Sequence, residues 1–383
     1  MDSPFIFTQP VVGDNFVGRK DELDWLSSNL SNGQHTVLIA PPLFGKRSLV
    51  TNALIQARKR QLLQSCILPL FNIRDEFVFY TALLNALLKA VCATSDEWAT
   101  AVKQFLPKTQ PLVDINETAQ NGVSLIFDKA AVMTHTDELL MLPERLAGWK
   151  NRRIVVCIHD FQEITQFDDT KAFQKKLCAA WKQHRLTSYL LCGSKKNAAT
   201  ALFAEKTPFH KFGDVIQLER LDEKLSVDYM IKSFSKSGRV ISKEFAEQLY
   251  RKVSGYPYYV QLLAHICWLN TKGFVLDSVV NKSVEDIYDY NERVFRWITD
   301  GLSNSQLNYL HAVIDGVMRF SSGENLQRYD LHSSANIARV REALEKKEIL
   351  SFDRYNMPSF IDPLFELWFR HRYLNSIAPK LIR

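Results

Sequence analysis

Nine residues carry the clearest chemistry in this chain: Ala40 to Ser48, reading APPLFGKRS. They follow an apolar stretch, Thr36 to Ile39, and open a helical pattern through Leu49, Leu54 and Arg58. A phosphate-binding loop has the form G-x-x-x-x-G-K-[ST]. Its backbone N–H groups cradle phosphates, its Lys reaches the terminal phosphates and its hydroxyl binds Mg²⁺. Gly45 and Lys46 stand in their places, whereas Ala40 replaces the first Gly and Arg47 the hydroxyl residue. Ser48 comes one residue late, about 100° further round a helix, and does not take over the metal contact. The pattern predicts a phosphate cradle that has lost its usual metal ligand. A plain strand-to-helix turn with an exposed Lys-Arg pair is the competing reading of the same residues.

A second stretch decides between them. Arg153 to Glu163 reads RIVVCIHDFQE, a short apolar run ending in acidic residues, as expected of a strand buried on both faces of a parallel sheet. Nucleotide hydrolases usually end this strand in Asp-Glu, the Asp steadying Mg²⁺ through water and the Glu activating the attacking water. Here His159 and Asp160 occupy those places. A cation at the ligand position repels the metal, and imidazole is a poor partner for a hard, oxygen-preferring ion. Asp160 is the remnant of the catalytic carboxylate, with a reach roughly 1.5 Å shorter than Glu. No metal is expected to be held, and phosphoryl transfer without Mg²⁺ loses its main electrostatic help. Arg47 is expected either to pair with phosphate in the ion's place or to pair with Asp160 and close the site.

Other chemistries find little support. His159 and Asp160 are neighbours on a strand and so point to opposite faces, and His135, His184 and His210 are isolated. No His/Cys cluster has zinc spacing. The six cysteines are scattered without a C-x-x-C and fall mostly in apolar runs, which reads as buried free thiols in a reducing compartment. No run approaches the roughly 18 apolar residues of a membrane span, and the N-terminus does not read as a secretion signal. A cytoplasmic protein is expected. The 48 basic and 42 acidic residues leave a net charge of +6, too diffuse to establish nucleic-acid binding.

The 383 residues are enough for two or three domains. Strand candidates at Thr36 to Ile39, Ile67 to Ile73, Arg153 to Ile158, Ser188 to Cys192 and Val215 to Leu218 alternate with helical patterns. That alternation predicts a parallel α/β sheet, with the phosphate-loop strand beside Ser188 to Cys192 and Arg153 to Ile158 on the latter's far side. Residues 94–150 carry no strand signal and read as helices. From Asp222 the texture is helical, with Ser254-Gly255-Tyr256-Pro257 ending one helix and restarting another. From Ser303 the order is three helices and then a hairpin pairing Ile349 to Phe352 with Ser359 to Ile361, which reads as a winged helix-turn-helix. The expected domains are an α/β domain at 10–221, a helical lid at 222–300 and the winged helix at 301–383.

Several short motifs, in order, resemble the archaeal-type ATPase group of STAND-like AAA+ P-loop proteins, with this chain as a divergent bacterial member. Phe16, Gly18, Arg19, Glu22 and Leu23 match an F-x-GR-x-x-E-L motif, with one residue's variation in spacing. Ala40, Pro41, Gly45, Lys46, Ser48 and Leu49 match the family's phosphate loop, and Phe161, Gln162 and Glu163 match its acidic strand end. Gly193 and Ser194 resemble the end of a sensor strand. Gly255 and Pro257 match the lid's G-x-P, and Asp362 to Phe365 with Trp368 match a C-terminal D-P-L-F-x-x-W. The resemblance implies ATP or ADP held between an α/β domain and a helical lid, with Arg19 and Pro257 flanking the adenine. The cofactor-contacting set it implies is Arg19, Pro41, Phe44, Gly45, Lys46, Arg47, Ser48 and Pro257, with Asp160 and Ser194 as a degenerate carboxylate and sensor. Mg²⁺ is doubtful, and the family's Arg after a P-L-Y-G motif has only Lys211 nearby.

Three function classes stay open. A nucleotide-dependent switch with little or no hydrolysis fits the altered positions best, with an active ATPase as the first alternative. The others are a winged-helix DNA binder and a protein-interaction scaffold whose nucleotide site is empty. Asn336, Arg339, Glu342 and Glu345 form the outward face of the third winged-helix candidate, and its two carboxylates disfavour phosphate contact. No motif names a protein partner.

Overall fold

The computed structural model describes residues 2–109, 111–115 and 123–377. The chain forms two compact units. The α/β unit holds Arg19–Pro42 and Lys46–Glu219. The helical unit holds the residues up to Gly18, the loop tip Leu43–Gly45 and the chain from Arg220 onward. Residues 10–18, expected in the α/β domain, thus pack with the helices.

The α/β unit runs α1 (Lys20–Asn32), β1 (Thr36–Ile39), α2 (Lys46–Arg60), β2 (Leu63–Pro69), α3 (Glu76–Val91), α4 (Ser95–Phe105), β3 (Leu112–Ile115) and β4 (Val123–Ile126). It continues α5 (Lys129–Thr134), α6 (Thr136–Leu140), α7 (Leu142–Lys150), β5 (Arg153–His159), α8 (Thr170–Trp181), β6 (Thr187–Gly193), α9 (Lys196–Leu202) and β7 (Asp214–Gln217). Five strands pair in parallel in the order β2-β5-β6-β1-β7. β1 lies inside the sheet beside β6, and β5 lies beyond β6, as the apolar runs predict. Ile154 to Ile158 and Tyr189 to Cys192 are wholly buried, which is why these runs carry no polar alternation.

Two expectations are corrected. The second strand is Leu63–Pro69, not 67–73. It is the edge of the sheet, where one half-exposed face tolerates Gln64 and Ser65 and leaves Ile67 and Phe71 in solvent, so the apolar run overshoots the pairing. The 94–150 region also contains strands. β3 and β4 form an antiparallel hairpin outside the main sheet, each only four residues long.

The helical unit contains α10 (Glu223–Lys236), α11 (Lys243–Lys252), α12 (Pro257–Asn270), α13 (Asp277–Asp300), α14 (Asn304–Ile314), α15 (Gly323–Arg328) and α16 (Ser334–Lys346). A hairpin of β8 (Leu350–Phe352) and β9 (Pro358–Phe360), then α17 (Pro363–Trp368) and α18 (Leu374–Ile377), complete it. Side chains of Asp222, Ser242, Ser303, Ser322 and Ser333 cap their helices, Ser303 with Gln306 as a full capping box. Gly255 has φ +66, and a Cβ there would meet the Tyr250 hydroxyl at 2.4 Å, so both conformation and space require Gly. The half-buried Asp362 carboxylate accepts from Leu364 N–H at 2.9 Å, Phe365 N–H at 3.1 Å and the Tyr259 hydroxyl at 2.6 Å. Arg372 pairs with Asp289 at 3.2 Å and also with Glu285, and the Trp368 indole donates to Glu292, so the last helices are stitched to α13. No helix among the described residues is long and apolar enough to cross a membrane.

One carboxylate organises the entry to the central strand. Glu144 of α7 accepts from the N–H groups of Arg185, Leu186 and Thr187, each at 2.9 Å. Burial would raise its pKa, but these amide bonds outweigh it and hold the carboxyl below its ordinary range. Its stabilisation is therefore present above the unfolded-state pKa and is lost as pH falls through the lowered native value. Glu144→Gln removes the charge from these bonds and is expected to lower unfolding free energy by on the order of 2 kcal/mol. Urea unfolding at pH 7 measures it, and an unchanged midpoint would show that the turn holds itself.

Candidate functional site

Every residue of β1 is buried, and the ladder runs one residue past it: Ala40 N–H donates to Gly193 C=O at 3.2 Å. Ala40 is thus still extended, which explains why Ala serves where the pattern has Gly. The positions needing left-handed backbone come later, at Leu43 (φ 61) and Gly45 (φ 82). Gly answers that need at no cost, whereas the half-exposed Leu43 carries strain of about 1–2 kcal/mol. Lys46 then opens α2. Its ammonium donates to the carbonyls of Ala40 and Pro41, both at 2.7 Å. Burial pulls its pKa down to about 8. The Cys192 and Asp160 side chains raise it in part, and Arg47 lowers it further. Arg47 is exposed, and no acidic residue lies in the first turn of α2. A helix N-terminus already carries partial positive charge, so two cations and no carboxylate there form an uncompensated anion-attracting end. Ser48 follows on the same turn, and its carbonyl accepts from Asn52 at 2.7 Å.

His159 ends β5 and is buried. Burial first, and then Arg47, hold its pKa below the ordinary value, so the imidazole is neutral at pH 7. Asp160 turns the chain out of the sheet with φ 57 and ψ 41. Its carboxylate accepts a short hydrogen bond from the Ser194 hydroxyl. The structure thus brings Asp160 and Ser194 together and gives Asp160 this partner rather than Arg47.

Sequence reasoning missed what holds this pair. The Gln162 amide clamps Ser194 from both ends: its Oε1 accepts from Ser194 N–H at 3.1 Å, and its Nε2 donates to Ser194 Oγ at 3.0 Å. Beside it the buried Glu163 pairs with Lys195 at 2.8 Å and Arg74 at 3.7 Å and accepts from Gln166 at 2.7 Å. Gln162 and Glu163 were legible only as motif matches, and nothing in the sequence linked Arg74 to them across 89 positions.

Arg19 caps α1, is 4% exposed and pairs with Glu22 at 3.0 Å; burial lowers its pKa, with Glu22 and Glu219 opposing. Pro257 is the first residue of α12 in the helical unit. The loop tip belongs to that unit too, with the Phe44 ring edge-on to Tyr256 at 4.8 Å.

No protein-family model matches the chain, and no curated protein matches it in sequence. Solved structures do match in shape. The Walker-type ATPase of Pyrococcus abyssi is 13% identical with a TM-score of 0.67, over 96% of this chain and 99% of that one. The ORC1 protein of Aeropyrum pernix, solved in complex with DNA, is 12% identical with a TM-score of 0.53 over 98% of each chain. The ORC2 protein of the same organism, in its ADP form, is 10% identical with a TM-score of 0.53 over 98% of each chain. The fold is that of the AAA+ P-loop ATPases.

In that fold the residues fit a nucleotide phosphate and do not fit Mg²⁺. The loop offers Lys46, Arg47 and the first-turn N–H groups to an anion. For the metal it offers an exposed guanidinium, a neutral buried imidazole and a carboxylate already engaged by Ser194. Gly193 sets the spacing, since a Cβ there would lie 2.4 Å from Cβ of Ala199. Gly193→Ala must push α9 off the sheet and is expected to cost about 1–3 kcal/mol. Thermal and urea unfolding test this, and a variant as stable as the parent would show that α9 yields freely.

Proposed function

We propose that this chain is an adenine-nucleotide-binding, STAND-like AAA+ protein that works as a nucleotide-dependent switch with little or no hydrolysis. Its domains on this reading are an α/β domain running to 221, a lid at 222–300 and a winged helix at 301–383. The observation that carries it is the start of α2. Lys46 and Arg47 lie there without a carboxylate in the turn, while the metal-side position holds a neutral His159. Lys46, Arg47 and the loop amides bind the phosphates, and Arg47 supplies the counter-charge that a metal ion otherwise gives. Asp160, shorter than Glu and tied to Ser194, is poorly placed to activate water. Arg19 and Pro257 are assigned to the adenine. The ADP form of the ORC2 neighbour supports the choice of nucleotide.

The ORC1 neighbour in complex with DNA and the three-helix-plus-hairpin order of α14 to β9 favour DNA contact as a second reading. Against it stand exposed Glu342 and Glu345 on α16. The Asp362–Tyr259 bond and the ion pairs of Arg372 also tie the C-terminal helices to α12 and α13, which suits an internal regulatory element better.

Calorimetric titration with ADP tests the main reading. Binding is expected to be about equal with Mg²⁺ or with excess EDTA, and Lys46→Ala should abolish it. Arg47→Thr should weaken metal-free binding by on the order of 1.5–3 kcal/mol, the worth of a charge-assisted bond. Strict Mg²⁺ dependence in the unsubstituted protein would overturn the role of Arg47, and no binding in any condition would favour the scaffold. ATP turnover at about 1 per second or faster, lost in Lys46→Ala, would establish the active-ATPase alternative.

Lys46 gives a further check through pH. Its free-protein pKa of about 8 must rise when a phosphate anion sits beside it. Binding therefore takes up a proton, and ADP affinity falls as pH rises above about 8, by about tenfold per unit once Lys46 is neutral in the free protein. Affinity that stays flat from pH 7 to 9.5 would show that Lys46 does not face the phosphates.

A further inference from the structure

We infer that α10, α12 and α13 of the helical unit form a docking groove for an extended peptide with Phe at two positions two residues apart, filled here by the chain's own N-terminal arm. Phe5 is 4% exposed and sits between Tyr229 of α10, edge-on at 6.0 Å, and Phe234, at 5.5 Å. Phe7 lies among Tyr258 and His265 of α12, at 6.0 and 5.0 Å, and Tyr290 of α13, edge-on at 6.5 Å. Residues at i and i+2 of an extended chain share one face, so two rings on one side of the arm enter two adjoining aromatic pockets. Between them Ile6 is half-buried, and beyond them Thr8, Gln9 and Pro10 are exposed. The arm's own backbone does little of the holding: Phe5 N–H turns back to the Ser3 hydroxyl at 3.3 Å.

The arm is an imperfect occupant. Gln261 Oε1 and His265 Nδ1, one turn apart on α12, are buried without a hydrogen-bond partner, and burial keeps His265 below its ordinary pKa. A rival segment that carries the same two Phe rings and a polar group over α12 makes bonds that the arm leaves unmade. An exposed apolar stripe continues past the arm. Tyr290 begins a stripe along α13 in which Val294 is 55% and Trp297 78% exposed, one and two turns further. Anchors of this kind, aromatic side chains entering preformed pockets, are what carry peptide recognition. The partner class is therefore an extended Phe-x-Phe segment, which must displace the arm to bind.

The probe is a fluorescein-labelled peptide of residues 2–11, DSPFIFTQPV, followed by anisotropy. Against the chain lacking residues 2–11 it should bind saturably. Against the full chain it should bind at least tenfold more weakly, because the tethered arm competes at an effective concentration of about millimolar. Peptides with Phe5→Ala or Phe7→Ala should each lose about tenfold or more. Should the shortened chain not fold, the full chain with Phe5→Ala and Phe7→Ala takes its place, since its arm is released while the groove is unchanged. Equal binding to filled and cleared grooves would overturn the inference, as would no binding to a folded protein whose groove is cleared. Indifference to the two Phe substitutions would do the same.

Discussion

The structure depends on one piece of backbone pairing: β1 lies parallel to β6 and stays in register one residue beyond its own end. Because Ala40 N–H still reaches Gly193 C=O, the phosphate loop and the Ser194 turn leave the sheet at the same level. Parallel pairing puts the exits of all five strands at one edge, so His159, Asp160, Ser194 and Lys46 are neighbours by topology and not by sequence. Gly193 then has no room for a side chain, because α9 closes over the same exit. A slip of one residue would turn the fully buried faces of β1 and β6 over and separate these groups.

Burial acts on the charges at this edge in one direction. Lys46 and His159 are both easier to hold uncharged than in water, with the exposed Arg47 a contributing cause for each. Metal would add positive charge to a place that already sheds it, whereas an anion would restore charge to Lys46. The acids nearby do not offset this. Asp160 is engaged by Ser194 and Glu163 is neutralised by Lys195 and Arg74, so neither carboxylate is a ready ligand. Burial and Arg47 thus shift Lys46 and His159 in the same direction.

The fold was legible where burial was complete and obscured where it was partial. Arg153 to Ile158 and Ser188 to Cys192 have no polar interruption because both faces are covered, and their order in the sheet followed from that. β2 was misplaced by four residues because an edge strand lets its apolar residues continue into solvent at Ile67 and Phe71. The β3–β4 hairpin was not read from the sequence. At the site, the loop was readable since its residues are contiguous, and the role of Leu43 was not, because a left-handed Leu has no sequence signature. The Gln162 clamp was hidden for another reason. An amide that satisfies both ends of a hydroxyl residue 32 positions away shows itself only when two strands are placed side by side.

The helical unit follows a different rule, because it is joined by polar bonds inside apolar surroundings. Asp362 is a half-buried carboxylate with three donors, and its desolvation still raises its pKa despite them. Such a group contributes little net stability compared with an apolar replacement, yet losing any one donor is costly. Its effect is selective. Only one placement of α17 against α12 brings the Tyr259 hydroxyl to Asp362 while that carboxylate caps α17 by accepting from its first N–H groups. Apolar contacts among Phe295, Phe365 and Trp368 would tolerate small slips, with ring centroids 5.5–6.1 Å apart and no directional bond between them. The carboxylate removes that freedom and fixes where α17 sits against α12.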